Sequence, residues 1–369
     1  MKYENNPYPQ NVDWPGLDFV KFSCVLIMVL IHVFWYLSTA YGHVEINRNN
    51  ILFKVVKNTM LIGLFPLMIP VTAGCILRIK LKLSDGHVDR ADFIKICTGS
   101  IFIGLIGFIM NGLCSGWGSF FSWNVLQLVG LSFIVITCML TRLSVYAVYI
   151  SGAICLFSSN LLRQWIGVSD NYLMYILFGD PNGRHAWPFF PWFSLIVCGF
   201  IIANFYLVYY KDKKRLNVIF LSIGIVLMLI SMIRNTRILP FDPHHMIGPA
   251  IFQANTYIML GVIGFACLFI SSASLCFQNH RFSRYGIINC FSKGILWIYV
   301  IHLIASARIY ELLKAHINMR LVINHPWKIT HMVILFGYPL LIFFLSWGVG
   351  YITIRYIHDK LIRISVRKI

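Results

Sequence analysis

The sequence predicts an all-α polytopic integral membrane protein, a helical bundle of about ten transmembrane helices. Its mean hydropathy is +0.73. Charged residues make up 12% of the chain, against about a quarter in soluble domains. The apolar runs exceed about 17 residues and lack the alternation of barrel strands, and only helices and closed barrels satisfy their backbone groups in lipid. These observations predict one transmembrane domain over residues 1–369.

Ten segments have about the apolar length that crosses a bilayer core, which is roughly 20 residues. They are 16–41, 57–79, 93–113, 121–140, 143–159, 188–210, 217–233, 249–275, 289–313 and 331–354. The fifth, 143–159, is short. Residues 172–179 are apolar but too few to span, and they predict an interfacial or re-entrant segment. The first segment is too long for a cleavable signal peptide and no strongly basic region precedes it, so we expect it to remain in the protein.

Lysine and arginine are distributed unevenly between the two faces of the predicted bundle. One face collects 20 of the 31: Lys2, Lys21, Arg78, Lys80, Lys82, Arg90, Lys95, Arg142, Lys211, Lys213, Lys214, Arg215, Arg281, Arg284, Lys293 and the five in residues 355–368. Cytoplasmic loops carry such an excess, so both termini are predicted to be cytoplasmic. The net charge of +18 therefore reflects membrane orientation and not nucleic-acid binding.

Four longer connections lie on the opposite, outer face. They are residues 42–56, 160–187, 234–248 and 314–330, and they contain Pro, His, Asn, Trp and Arg. This composition suits the binding of a hydroxyl-rich molecule, and it equally suits ordinary connections with interfacial aromatic belts. The ten cysteines contain no CxxC pair, which indicates neither a disulfide framework nor a zinc site.

The first predicted helix carries three polar residues on one stripe. From Lys21 to His32 the helix turns about 20° beyond three full turns, and from Asp18 to His32 it turns about 40° short of four. With a helical rise of about 1.5 Å per residue, His32 lies about 16 Å deeper than Lys21. Polar groups in lipid usually face the bundle interior, and a histidine there is suited to take a proton from a hydroxyl or amine. The alternative is a structural hydrogen bond from His32 and an interfacial Asp18–Lys21 pair.

This arrangement resembles the membrane acyltransferase superfamily that includes the acyltransferase-3 and heparan-alpha-glucosaminide N-acetyltransferase-like families. These families open with Leu-Asp, then Arg, ten residues and His in the first helix. Leu17-Asp18 and Lys21-x10-His32 fit that frame, with Lys in place of Arg. Lysine keeps the charge but lacks the bidentate fork of arginine.

Four later segments resemble motifs of the same superfamily, in the same order. They are FPLMIPVTAGCILRIKLK (residues 65–82), WNVLQLVGLSF (123–133), WPFFPWFSLIVCGF (187–200) and FSKGILWIYVIHLI (291–304). The motif positions fall on Ala73, Gly74, Gln127, Gly130, Pro191, Trp192, Gly199, Ser292, Tyr299 and His302.

The resemblance implies an acetyltransferase that takes an acyl group, usually acetyl, from cytoplasmic acyl-CoA. It implies delivery to a sugar hydroxyl or amine of a cell-surface glycan, with O-acetylation as the expected form, and a bacterial inner membrane as the setting. No metal is expected. His32 is the expected catalytic base, oriented by Asp18 or Lys21, or a transient acyl carrier. Lys21 and Arg78 are the expected acetyl-CoA contacts. Residues expected to contact the acceptor are Gln127, Trp192, His302 and the loop histidine His244.

The rival hypothesis is a transporter or flippase for a polar lipid or glycan. Ion-coupled carriers keep acidic residues deep in the bundle and often contain repeats. Here only Asp18 and Glu311 come close to such a position, and the sequence shows no internal repeat.

Overall fold

The computed structural model describes residues 14–39, 64–81, 83–84, 87–166, 171–179, 187–209, 212–234, 255–283, 285–316 and 329–358. Contacts divide the chain into two compact units. The first unit comprises Met1–Leu17 and Leu67–Gln278, and the second comprises Asp18–Pro66 and Asn279–Ile369.

The described residues form helices with one short hairpin. The helices are α1 Pro15–Thr39, α2 Leu64–Leu67, α3 Ile69–Lys80, α4 Arg90–Ser115, α5 Val125–Arg142, α6 Val145–Ile166, α7 Tyr172–Phe178, α8 Phe189–Val208, α9 Lys213–Arg234, α10 Thr256–Cys276, α11 Ile287–Lys293, α12 Ile295–His316 and α13 Ile329–Ile352. A π-helical turn, Thr353–His358, follows α13. The hairpin pairs β1 (Leu83–Ser84) with β2 (His87–Val88) in antiparallel register.

Within these ranges nine helices are long and apolar enough to cross a membrane, namely α1, α4, α5, α6, α8, α9, α10, α12 and α13. The protein is therefore an all-α, multi-pass membrane bundle, as the composition predicts. The predicted span at residues 57–79 is described only in part. Residues 57–63 lie outside the described residues, and the rest forms α2 and α3. The fifth predicted span is longer than expected, because α6 has 22 residues. Residues 172–179 contain only the seven-residue helix α7.

One predicted helix, residues 289–313, is divided into α11 and α12 at Gly294. A Cβ on Gly294 would lie 2.8 Å from the Cys290 carbonyl oxygen and 2.8 Å from the Gly350 Cα of α13. This close backbone approach explains why a glycine occupies the break.

Helix α8 is the centre of the first unit. Within its membrane-spanning window 78% of the residues are buried, against 17% for α4. Helix α4 instead presents Ile94, Ile101 and Phe102 outward, as a lipid-facing helix does. The hydrophobic composition of both helices is similar, so packing against protein rather than composition distinguishes the central helix from the peripheral one.

Two glycines allow α3 to pack directly against α8. A Cβ on Gly74 would lie 1.9 Å from the Ile196 carbonyl oxygen, and a Cβ on Gly199 would lie 1.8 Å from the Val71 carbonyl oxygen. Small residues at helix crossings let membrane helices approach closely. Both glycines occupy motif positions in the sequence, and their role in this structure is backbone contact.

Candidate active site

Helices α1 and α12 bring His32 and His302 together in the second unit. His32 Nδ1 lies 2.9 Å from His302 Nε2. The two rings stack with centroids 5.2 Å apart. His302 is 1% exposed, whereas His32 is only half-buried. The histidine predicted as catalytic and the histidine predicted to bind the acceptor are therefore direct neighbours.

Asp18 and Lys21 form a separate cluster at the start of α1. Lys21 Nζ lies 2.7 Å from Asp18 Oδ1. The Ser292 hydroxyl of α11 donates a hydrogen bond to the same Asp18 oxygen. Asp18 and His32 are fourteen residues apart, which is about 21 Å along a helix. The described contact that orients His32 thus comes from His302, and the catalytic role of Asp18 stays a prediction.

Arg78 lies in a buried network of the first unit and is 3% exposed. Its Nε donates to Asn204 Oδ1 at 2.7 Å, and its Nη1 donates to the Leu81 carbonyl at 3.3 Å. Asn204 in turn donates to the Tyr149 hydroxyl at 2.7 Å. These contacts join α3, α8 and α6. The predicted acetyl-CoA contact of Arg78 stays a prediction.

Gln127 closes the first turn of α5. Its side chain accepts from the Asn124 backbone N–H at 3.2 Å, and the Asn124 side chain accepts from Leu126 N–H at 2.9 Å. Such reciprocal capping satisfies amide groups that a helix start leaves unpaired. Asn124 also donates to Asn111 Oδ1 at 2.6 Å. Gln127 thus has a structural role here, and its contact with an acceptor stays a prediction.

Trp192 of α8 has no exposed surface. Its indole Nε1 has no hydrogen-bond partner among the residues that the structure describes. Its ring contacts that of Trp187, with centroids 4.4 Å apart. The Trp187 carbonyl accepts from Trp123 Nε1 at 2.9 Å. Buried indoles usually find a partner, and the contact of Trp192 with an acceptor stays a prediction.

A small pocket opens between the ends of α1, α8, α9 and α10 in the first unit. It encloses about 310 Å³, including the part open to solvent, and Lys213 and Asn217 line it with Trp14, Tyr206 and Ser274. Trp14 Nε1 donates to Ser274 Oγ at 2.8 Å. Asn217 is 1% exposed, and its Oδ1 lacks a partner in the described part of the chain. The pocket combines a cation with a buried amide oxygen that has no partner within the described ranges.

Neither Asn204 nor Asn217 belongs to a motif in the sequence, and Ser292 is predicted only as a motif position. Asparagine inside an apolar run is a usable signal, because a buried amide needs partners. Their partners are distant in sequence and give no local pattern. His244 lies outside the described residues. Across the ranges described, no three His, Cys, Asp or Glu side chains form a group that would hold a metal ion.

A protein-family model matches a large part of the chain. The family model described as heparan-alpha-glucosaminide N-acetyltransferase, catalytic, matches residues 14–236, more than half of the chain. The matched segment includes Asp18, Lys21 and His32 and ends before His302. It supports the N-acetyltransferase branch of the resemblance and does not test the acyltransferase-3 branch. No curated protein and no solved structure matches the chain.

Proposed function

Because the chain belongs to the heparan-alpha-glucosaminide N-acetyltransferase catalytic family, we propose that it transfers acetyl from cytoplasmic acetyl-CoA to a sugar hydroxyl or amine. The acceptor in this proposal is a cell-surface glycan, and the setting is a bacterial inner membrane. Both termini are cytoplasmic, and residues 1–369 act as a single acyltransferase domain. Family membership supports the acetyltransferase class.

The observation that carries the proposal is the arrangement along α1. This family-matched helix holds a cation, Lys21, near its first turn and a histidine, His32, about 16 Å farther along. That separation suits a donor whose phosphates enter at one membrane face while its thioester reaches toward the interior. His32 is half-buried, whereas His302 beside it is 1% exposed.

In the proposed reaction His32 acts as the general base. It takes the proton from the acceptor hydroxyl or amine while the acceptor oxygen or nitrogen attacks the thioester carbonyl. The new C–O or C–N bond forms, the C–S bond breaks, and the CoA thiolate leaves and takes the proton. The second route is transient acetylation of His32 itself, followed by attack of the acceptor on the acetyl-histidine.

The donor phosphates bind on the basic face in this proposal. Lys21 and Arg78 are the residues predicted for this contact, and the pocket beside Lys213 provides another cation with aromatic walls. Lys214 is its exposed neighbour and a matched control. Lys213→Gln should weaken CoA binding by about fivefold, the effect of roughly 1 kcal/mol, and Lys214→Gln should not. Equal affinities for both variants would remove the pocket from the donor path.

The acceptor contacts proposed are Gln127, Trp192 and His244. His302, which the sequence predicts with them, is 1% exposed and contacts His32. Support is clearest for Trp192, whose indole N–H has no partner within the described residues. Replacing it with Phe keeps an aromatic ring but removes the donor. The KM for the acceptor should rise while the affinity for acetyl-CoA stays unchanged.

The experiment that tests the function is incubation of the purified protein with acetyl-labelled acetyl-CoA, with and without glycan acceptors. Transfer of label, or slow hydrolysis without acceptor, supports the proposal. Mild alkali releases O-acetyl esters and leaves N-acetyl amides, so it distinguishes the two products. No turnover of acetyl-CoA, together with movement of a glycan or lipid across reconstituted vesicles, would favour the transporter instead.

A further inference from the structure

The orientation of the His302 ring is set by its own helix. Its Nδ1 lies 2.7 Å from the Ile298 carbonyl oxygen, one turn earlier in α12. A carbonyl oxygen only accepts hydrogen bonds, so the Nδ1 atom of His302 carries a proton. In a neutral imidazole the other nitrogen, Nε2, then holds a lone pair.

That lone pair faces His32. His302 Nε2 is the atom that lies 2.9 Å from His32 Nδ1. Since His302 Nε2 accepts, His32 Nδ1 is the donor and carries the proton of its ring. The neutral His32 ring therefore keeps its lone pair on Nε2, the nitrogen on the side away from His302.

The surroundings of His302 favour a supporting role over direct contact with substrate. The side chain is 1% exposed, its two ring nitrogens are both engaged, and the Tyr299 ring packs against it with centroids 5.7 Å apart. His32 is half-buried and has one ring nitrogen left for chemistry. The two histidines are thus not equivalent.

We propose that His302 is a positioning residue that holds His32 in the tautomer with a free Nε2. This inference rests on the proposed role of His32 as the base, and it differs from the acceptor-binding role that the sequence predicts for His302. When His32 takes a proton on Nε2, its Nδ1–H continues to donate to His302. The same contact then orients the imidazolium and shares its charge. A hydrogen-bond partner on the second ring nitrogen orients other functional histidines in the same way.

Three substitutions at position 302 separate positioning from proton transfer. In His302→Gln the side-chain carbonyl reaches about as far as the imidazole Nε2 and still accepts from His32. In His302→Asn the carbonyl is one carbon too short, and in His302→Leu no acceptor remains. We expect kcat to fall by about 10²-fold in the Leu and Asn variants, at an unchanged KM for acetyl-CoA, and to recover at least tenfold in the Gln variant. If Gln is as inactive as Leu, His302 itself handles the proton and the proposal fails.

A spectroscopic readout makes the test independent of turnover. Nitrogen-15 NMR of the protein with labelled histidine distinguishes the protonated from the unprotonated ring nitrogen, and the His32→Gln spectrum assigns the His32 signals. The expected result is a proton on His32 Nδ1 in the wild type and a mixture of tautomers in His302→Leu. A proton on His32 Nε2 in the wild type overturns the inference. The Nδ1 tautomer in a protein that never transfers acetyl would refute the proposed function alone.

Discussion

Arg78 and Asn204 share a hydrogen bond of 2.7 Å between the guanidinium Nε and the amide oxygen, at a site where Arg78 is 3% exposed. The bond joins α3 to α8, and the Asn204 amide extends it to Tyr149 of α6. A cation so deeply placed needs hydrogen-bond partners, because an unsatisfied buried charge is strongly destabilising. Arg78 therefore has a structural function beside the proposed contact with the donor.

Substitutions of Arg78 and of Asn204 distinguish the structural function of Arg78 from its proposed contact with the donor. Arg78→Ala and Asn204→Ala should each lower the stability of the protein in detergent by about 1.5–3 kcal/mol, since both remove a hydrogen bond to a charged group. Only Arg78→Ala should also weaken CoA binding in the folded fraction. Thermal unfolding and CoA titration at matched detergent concentration measure the two effects. Equal CoA affinities in both variants would show that Arg78 is structural alone.

The close crossing of α3 and α8 yields a second prediction. Gly74→Ala and Gly199→Ala each place a Cβ within 2 Å of a backbone carbonyl oxygen, so the helices must separate. Overpacking of this kind typically costs about 1–3 kcal/mol in stability. Because the two helix backbones must move apart, we expect a loss near the upper end of that range. The thermal midpoint of both variants should fall in detergent.

A matched control exists on α4. A Cβ on Gly99 meets no atom within 4 Å, so Gly99→Ala should leave the midpoint unchanged or raise it slightly through helix propensity. Midpoints that fall equally in all three variants would contradict the close-crossing explanation.

The sequence predicts the helices of this protein well, because spans of about 20 apolar residues are a local property. The first span, predicted at residues 16–41, is observed as Pro15–Thr39. The need for glycine at the break, Gly294, is not predictable from the local pattern, because part of the backbone that crowds this position belongs to Gly350 of another helix.

The sequence predicts which residues belong to the candidate site, but it does not predict which of them contact each other. The stripe of Asp18, Lys21 and His32 suggests one connected group, since the three share a helix face. The structure connects Asp18 to Ser292 and His32 to His302, partners 274 and 270 residues away. Helical periodicity identifies which side chains face inward, but it contains no information on which neighbour they meet.

The uneven charge distribution predicts the orientation in the membrane. In a background without native cysteines, a cysteine at Lys213 or in the tail after residue 358 should be shielded from an impermeant thiol reagent applied outside intact cells. A cysteine at Asn182 should react. Permeabilised cells provide the control, in which all sites should react. The opposite pattern would invert the orientation and place the acceptor on the wrong face.

Lys21 tests the entry of the donor. Lys21→Ala should weaken CoA binding while the protein stays folded, because Asp18 keeps the hydrogen bond from Ser292 when its cation partner is removed. Lys21→Arg should largely preserve binding, since the charge remains. Asp18→Asn keeps the Lys21 cation and removes its carboxylate partner, which lies at 2.7 Å. This variant therefore distinguishes an effect of the lysine charge from an effect of the ion pair. If CoA affinity is unchanged in Lys21→Ala, this lysine only anchors α1 at the interface.

His32 is the residue on which the proposed chemistry depends most directly. Removal of a general base typically costs 10² to 10⁴ in rate, so His32→Ala should reduce acetyl transfer by about that factor. His32→Gln should be no better, because an amide hydrogen-bonds but does not take up the proton. Both variants should still insert and bind CoA, which size-exclusion chromatography and CoA titration check. His244→Ala is the mild control, with a rate within a few-fold of the wild type. Transfer at near the wild-type rate by His32→Ala would show that this histidine is not the base, and the transporter hypothesis would then have to be tested first.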